Sequence, residues 1–170
     1  CALPIYAEDM KYRKPNKYGH PTWYALLDGN HTQVGDILVS EEDGTFFIAA
    51  QQPDLPILVV SCNATVDVLR VPVNADVGLQ PYSGVTAADE QPLMTAWPAS
   101  VLLGGKGEHN DANLPADTRA GQYSILLPAV AGAQLRASDI VRDQSGRRFA
   151  LMSVELTDLG WRLTAREELA

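Results

Sequence analysis

Two similar stretches of sequence predict the fold. They are residues 35–50, GDILVSEEDGTFFIAA, and residues 138–155, SDIVRDQSGRRFALMSVE. In each stretch an Asp precedes a β-branched run, a polar turn follows, and a run containing Phe returns, which is typical of a β-hairpin. We therefore predict two hairpins centred on Gly44 and Gly146. The recurrence of Asp, Ile, Gly and Phe fits either a duplicated module or two hairpins of similar composition.

Other short apolar runs predict further strands. Residues 57–62 are almost continuously apolar, as expected for a buried strand, and residues 65–71 alternate. Residues 122–127 and 161–165 have the same character, and no amphipathic pattern of helical length appears. We predict an all-β fold of antiparallel strands, a small barrel or sandwich, with extended Pro-rich arms. The predicted core consists of Phe47, Leu58, Val60, Ile125, Phe149, Leu151 and Leu163.

Proline and turn residues divide the chain into four parts. Residues 1–33 are predicted to be an extended N-terminal arm, and residues 34–71 a first β module. Residues 72–98 contain four prolines and are predicted to be a linker or a second arm. Residues 99–170 form the predicted second β module, which could also join the first in one composite domain.

Length, composition and charge exclude several classes of protein. A chain of 170 residues with 46% hydrophobic residues is long enough for one domain or two small ones. No apolar run reaches the roughly 18–20 residues needed for a membrane-spanning helix. The net charge of −8 disfavours direct nucleic-acid recognition.

The charge is unevenly distributed along the chain. Residues 1–20 hold four cations and two acids, a net of +2, whereas residues 21–118 hold two cations and thirteen acids, a net of −11. Residues 119–170 hold seven arginines and six acids, a net of +1. The basic arm could dock onto the acidic body of a neighbouring copy, or it could be a solvated tail.

Motifs for catalysis and for metal binding are not found. The Gly-rich residues 104–107 lack the spacing of a phosphate-binding loop, and no Gly-x-Ser-x-Gly elbow occurs. His20, His31 and His109 have no second His or Cys at a spacing typical of zinc ligands. We therefore expect no enzyme activity, no metal and no cofactor. Cys62 lies among apolar residues and is predicted to be a buried free thiol.

Aromatic and basic residues in the predicted arms suggest a subunit interface. Exposed aromatic side chains on segments without strand or helix periodicity normally mark a contact with another chain. The candidate interface residues are Lys11, Tyr12, Arg13, Lys14, Tyr18, Trp23, Tyr24, Tyr82 and Trp97. A second basic group, in the C-terminal part, is interpreted either as interface ion pairs or as charges that protect strand edges: Arg142, Arg147, Arg148, Arg162 and Arg166.

Two segments carry a resemblance to known proteins. Residues 126–163, with Ser138-Asp139-Ile140-Val141, then Gly146-Arg147-Arg148-Phe149 and Gly160-Trp161-Arg162-Leu163, resemble small β-barrel structural proteins of tailed bacteriophages, the neck, connector, tail and baseplate components. Residues 35–52 are similar to phage minor structural proteins. The arm 1–33 and the stretch 72–98 fit no one such family, so the resemblance covers about half of the chain.

The resemblance implies a structural component of a tailed-phage virion that forms a homo-oligomeric ring. Its implied partners are copies of itself and other phage tail or neck proteins, and its implied location is a virion assembled in the host cytoplasm. The alternative is a monomeric bacterial β-barrel module that binds carbohydrate or peptide. In that case Tyr6, Tyr12, Tyr18, Trp23 and Tyr24 would form the binding platform.

Overall fold

The computed structural model describes most of the chain and is entirely β. The described residues are 5–7, 19–53, 55–71, 89–104, 121–130 and 132–168, and for residues 5–7 the backbone alone is described. Among them there is no α-helix, and one short 3-10 turn spans Gly29–His31. The eleven described strands are β1 Ile5–Ala7, β2 Thr22–Ala25, β3 Ile37–Ser40, β4 Gly44–Ala50, β5 Ile57–Cys62, β6 Ala64–Arg70, β7 Gln91–Leu103, β8 Gln122–Leu127, β9 Ile140–Asp143, β10 Arg148–Thr157 and β11 Gly160–Glu167.

The first five strands form an antiparallel sheet, which we call the sheet module. Its strand order is β1-β2-β5-β4-β3, so that β1 and β3 are its two edges. Successive side chains of a strand point to opposite faces. One face carries a cluster that includes Phe46, Ile48 and Val59, and the other carries Phe47 and Val60.

The last six strands close into an antiparallel barrel. Its order is β10-β11-β8-β7-β6-β9, and β9 pairs again with β10. The interior is filled by apolar side chains, among which Ile125, Phe149 and Leu163 are completely buried. The ring of Tyr123 meets that of Phe149 in an edge-to-face contact at 4.9 Å between centroids. Closure removes the sheet edges that would otherwise remain exposed.

Asn63 joins the two modules. β5 of the sheet ends at Cys62 and β6 of the barrel begins at Ala64, so that one residue separates them. The Asn63 side chain donates a hydrogen bond to the Val101 carbonyl at 2.8 Å and accepts one from the Val101 amide at 2.8 Å. The Asn63 side chain thus takes the place of a backbone partner for Val101 where the chain passes from the sheet to the barrel. Leu126 of the barrel packs against the face of the sheet that carries Phe47.

The predicted strands agree closely with the structure, and one core residue does not. The hairpins about Gly44 and Gly146 are present, and both glycines have positive φ, at 90° and 85°. Phe47, Val60 and four other predicted core residues are buried, as predicted: Ile125, Phe149, Leu151 and Leu163. Leu58 is only half-buried, because it lies on the face that the barrel covers incompletely.

Strand membership differs from the predicted segments. Within residues 1–33, β1 and β2 pair with each other in the sheet. Within residues 34–71, β6 belongs to the barrel. Residues 91–98 of the predicted linker are the first part of β7, the longest described strand, despite Pro92 and Pro98. Prolines are tolerated there because the ladder with β6 is irregular, with register shifts and an Ala96 φ of 57°.

Candidate interaction surface

The two predicted hairpins share a local structure. In the sheet, the Gly35 amide donates to the Ile48 carbonyl at 2.9 Å, and the Ile48 amide donates to the Asp36 carbonyl at 2.9 Å. Gly35 has a φ of 94°. Two residues therefore face one across the ladder, which is a β-bulge whose first residue has a left-handed conformation.

The barrel repeats this bulge at the corresponding place. The Ser138 amide donates to the Leu151 carbonyl at 2.8 Å, and the Leu151 amide donates to the Asp139 carbonyl at 2.9 Å. Ser138 has a φ of 76°, although it is not a glycine. The similarity detected in the sequence is therefore a structural one, in which Asp36 corresponds to Asp139. By register, Phe149 corresponds to Phe46 rather than to Phe47.

Asp139 receives an arginine from the neighbouring strand. Its carboxylate accepts hydrogen bonds from Arg70 Nε at 2.7 Å and from Arg70 Nη2 at 2.8 Å, and it also accepts one from the Arg136 amide at 2.7 Å. Arg70 ends β6, which lies antiparallel along the outer edge of β9. The side-chain hydrogen bond to Asp139 raises the pKa of Arg70. The bulge Asp of the barrel thus fixes the strand that covers its hairpin.

Asp36 has no such partner. Its Oδ2 accepts a hydrogen bond from the Gln33 amide at 2.9 Å, the counterpart of the bond between Arg136 and Asp139. Among the described residues, no cation contacts its carboxylate, and no strand pairs with the outer edge of β3. Within the described residues, the hairpin of the sheet module therefore lacks both the covering strand and the arginine that the barrel hairpin has.

The outer edge of β3 exposes apolar side chains. Val39 is 74% exposed and Ile37 is 43% exposed, whereas Leu38 between them packs on the sheet core. Because Asp36 bonds to Ile48 across the β3–β4 ladder, the alternation of an antiparallel pair turns the backbone groups of Ile37 and Val39 away from β4. This edge therefore combines apolar side chains with backbone groups to which no described strand is paired.

The described residues of the sheet module are acidic and include no Lys or Arg. From residue 18 to residue 69 the sequence contains no Lys or Arg. The turn Glu41–Asp43, between β3 and β4, is exposed, and Asp28 and Asp36 add further negative charge. The module therefore favours a cationic partner.

The basic residues of the barrel are mostly paired within the chain. Four of the five arginines of the predicted C-terminal basic group contact acids at up to 3.8 Å. These pairs are Arg142 with Asp67, Arg147 with Asp143, Arg148 with Glu90 and Glu168, and Arg162 with Glu155. The interpretation of these four as ion pairs with another chain is therefore not needed, and Arg166 is exposed on β11.

Two of these pairs shift the pKa of the acid. The hydrogen bond from Arg142 holds the pKa of Asp67 below its usual range. Burial alone would raise the pKa of Asp143, but hydrogen bonds from Ser145 and Arg147 outweigh burial, and its pKa is lowered. Asp143 is 5% exposed and caps the turn of its hairpin, so that its charge supports the fold.

A groove lies beside the connections of the sheet module. It has a volume of about 750 Å³ and is lined by Leu27, Gly29, Asn30, Thr32, Gln33, Val34, Gln51, Gln52, Pro53, Leu55 and Ile57. The Gln51 side chain joins its two walls, since it donates to the Gly29 carbonyl at 2.6 Å and accepts from the Thr32 hydroxyl at 3.2 Å. The other lining side chains are uncharged and include Asn30, Gln33, Val34, Gln52 and Leu55.

The described residues include three of the nine candidate interface residues. Trp23 packs against the sheet core and Trp97 against the barrel core, and both are half-buried. Tyr24 is also half-buried and lies on the opposite face of β2 from Trp23. The remaining six lie outside the described residues: Lys11, Tyr12, Arg13, Lys14, Tyr18 and Tyr82. Their role in an interface stays a prediction.

Cys62 is a free, partly buried thiol whose pKa is raised by burial. It is partly buried at the end of β5, and burial raises its pKa to about 12, against a smaller opposite effect of a backbone hydrogen bond involving Phe47. Across the described part of the chain, no three His, Cys, Asp or Glu residues are grouped as a metal site would need. The described segments also contain no helix that is long and apolar enough to cross a membrane.

Comparisons with known proteins give no match: neither a family model, nor a curated protein, nor a solved structure is similar to this chain. The interaction surface must therefore be interpreted from its own residues. Sequence reasoning did not identify β3 as an edge strand of the sheet. The signal was present in the repeated Asp, which in one hairpin has an arginine partner and in the other has none.

Proposed function

We propose that this chain is a structural assembly protein that forms a homo-oligomeric ring, of the kind found in the tail, baseplate or neck of tailed-phage virions. The observation that carries the proposal is the described surface of the sheet module, which combines a strand edge that no described strand covers, exposed apolar side chains and an acidic turn. The phage context rests on the sequence resemblance of residues 35–52 and 126–163.

The contrast between the two modules supports an assembly role. The barrel closes its hydrogen-bonding edges and pairs most of its arginines internally. In the sheet module no described strand covers the β3 edge, which lies next to an acidic turn. Contact at such a surface would bury the apolar area of Ile37 and Val39, at about 25 cal/mol per Å² of area removed from water. A basic partner would add orientation and specificity.

Sedimentation velocity tests the assembly role. We expect the purified chain to form a discrete oligomer larger than a dimer at micromolar concentration, and to dissociate partly as the salt concentration rises, because exposed charge pairs are screened. Charge reversal at Glu41 and Glu42 should weaken the oligomer, whereas reversal at Glu155, on the barrel, should not. A monomer over the whole concentration range would contradict the proposal.

The groove beside Gln51 favours a second candidate, a module that binds peptide or carbohydrate. Its volume lies within the range of about 300–1,000 Å³ of small-molecule sites, and amide side chains such as Gln33 and Gln52 suit peptide groups and sugar hydroxyls. Thermal-shift screening against oligosaccharides and short peptides would test this function. The second candidate would be favoured if the protein is a monomer, one ligand class raises its melting temperature, and the same ligands do not stabilise the Q52A variant.

A further inference from the structure

We propose that the outer edge of β3 binds an extended basic segment of a neighbouring chain by antiparallel strand addition, with a Lys or Arg of that segment paired to Asp36. The inference rests on the proposed assembly role and specifies the contact that carries it. It follows from comparing β3 with its counterpart β9, which has the same bulge and the same preceding Asp.

The barrel shows how such an edge is covered. β6 lies antiparallel on the outer edge of β9, with Leu69 opposite Ile140 and Asp67 opposite Arg142. The next residue of β6, Arg70, reaches the bulge Asp139 with two hydrogen bonds. The strand that covers this hairpin thus ends in an arginine placed opposite the bulge carboxylate.

The corresponding positions of β3 specify its partner. Ile37 and Val39 occupy the places of Ile140 and Arg142, and their backbone groups point to the open edge. Asp36 occupies the place of Asp139, and within the described chain its carboxylate is bonded to the Gln33 amide alone. In a segment that follows the path of β6, one residue would pair with Ile37, as Leu69 pairs with Ile140. The next residue of the segment would then lie beside Asp36.

Charge selects a basic segment over a second copy of the same edge. The turn Glu41–Asp43 lies at one end of β3 and Asp36 at the other, and the described residues of the sheet module include no Lys or Arg. Two β3 edges placed side by side would repel each other, since like charges across strands are destabilising. Val39 occupies the position that Arg142 has in β9, so the bound segment needs no acid opposite it. The aliphatic stem of a lysine at that position of the segment can pack on Val39.

A peptide with the sequence of β6 and one substitution serves as the probe. It carries residues 65–71 with the change D67K, and the matched control peptide carries the further change R70E. Binding is measured by fluorescence anisotropy or NMR titration at low salt. We expect the first peptide to bind about tenfold more tightly than the control, and D36N to abolish that preference, because the amide keeps the acceptor for the Gln33 amide but loses the charge.

Backbone variants test the strand pairing separately. V39P removes an amide that points away from β4 and should abolish binding of both peptides, with an unchanged circular dichroism spectrum. If V39P fails to fold, N-methylated peptides replace it. Methylation at the residues corresponding to Asp67 and Leu69 should abolish binding, and methylation at Val66 and Val68 should not.

Each outcome decides the inference. Equal binding of the two peptides, or binding that D36N and the methylation pattern leave unchanged, would overturn it. If the protein binds the peptide but stays monomeric, strand addition at β3 would be supported and the proposed ring would be contradicted. An oligomer that forms while the peptides fail to bind would support the assembly role and overturn the β3 edge as its contact.

Discussion

Asp36 and Asp139 hold the same place in two hairpins and have opposite surroundings. Asp139 is 2% exposed and holds Arg70, whereas Asp36 is half-exposed and lacks any cationic partner in the described part of the chain. Residues with the same local conformation thus differ in their contacts: one carboxylate holds a strand of its own chain, whereas the other accepts a hydrogen bond from the Gln33 amide.

The substitution D139N should destabilise the chain much more than D36N does. Hydrogen bonds to charged groups contribute about 1.5–3 kcal/mol, and D139N would weaken two of them while leaving the Arg70 charge unpaired. D36N retains its one backbone bond, so we expect a change within about 0.5 kcal/mol. Urea denaturation of both variants checks this prediction, and equal losses would contradict it.

The contribution of Asp143 to stability should depend on pH. Its pKa is lowered in the folded chain, so its charged form favours folding above the usual Asp pKa of about 3.9. This stabilisation is lost as the pH falls through the lowered folded pKa. The difference in unfolding free energy between wild type and D143N should therefore shrink below about pH 4. A difference that stays constant from pH 7 to pH 2 would disagree with the structure.

The Cys62 thiol should react slowly while the chain is folded. Burial raises its pKa from 9.0 to about 12, so that the thiolate fraction at pH 8 falls by roughly three orders of magnitude. We expect alkylation at least about 100-fold slower in the native chain than in guanidinium. Mass spectrometry of the peptide that contains Cys62 separates it from Cys1, and equal rates would show that the thiol is accessible.

At the scale of the elements, turn chemistry and apolar periodicity predicted most of the strands. Strands β5 and β8 have the predicted bounds, and the two predicted hairpins turn at Gly44 and Gly146. β7 was not predicted as a whole, because Pro92 and Pro98 are local signals against a strand. The bulges that accommodate them depend on pairing with β6, which is distant in sequence.

The edge position of β3 could not be predicted from such local signals. That β3 lies at an edge follows from the order of strands in the sheet, and the order is set by packing among distant segments. The sequence similarity between the hairpins placed Asp36 and Asp139 in register. Their difference arises because β6 crosses from the sheet to the barrel at Asn63 and covers β9 rather than β3.

Two glycines of similar conformation should respond differently to substitution. A Cβ at Gly160 would lie 2.5 Å from the Leu127 carbonyl oxygen, and its φ is 109°. At Gly44, φ is 90° but no atom lies within 4 Å of the added Cβ. G44A should cost about 1–2 kcal/mol from backbone strain alone, and G160A should cost more because β8 must also move. Thermal unfolding compares them, and equal losses would contradict the tight contact.

At the scale of the whole molecule, charge is unevenly distributed along the sequence. The sequence before residue 18 contains Lys11, Arg13, Lys14 and Lys17, and the next cation is Arg70. A head-to-tail contact between a basic surface of one copy and the acidic edge of the next is heterologous, and such contacts generate rings when the rotation closes.

Reversing the basic charges should therefore weaken assembly. We expect the triple variant K11E/R13E/K14E to keep its β-rich circular dichroism spectrum and to sediment mainly as a smaller species. Its matched control, R162E/R166E, changes two exposed positions of the barrel. Unchanged assembly of the triple variant would show that these residues do not contribute to the interface.

Residue-resolved hydrogen exchange of the assembled protein tests the β3 edge most directly. The amides of Ile37 and Val39 point away from β4, and the amide of Leu38 points towards it, so the three provide an internal control. In the assembly, we expect strong new protection of Ile37 and Val39 relative to the dissociated chain, with Leu38 protected in both. An assembly in which Ile37 and Val39 exchange as fast as in the free chain would contradict strand addition at β3.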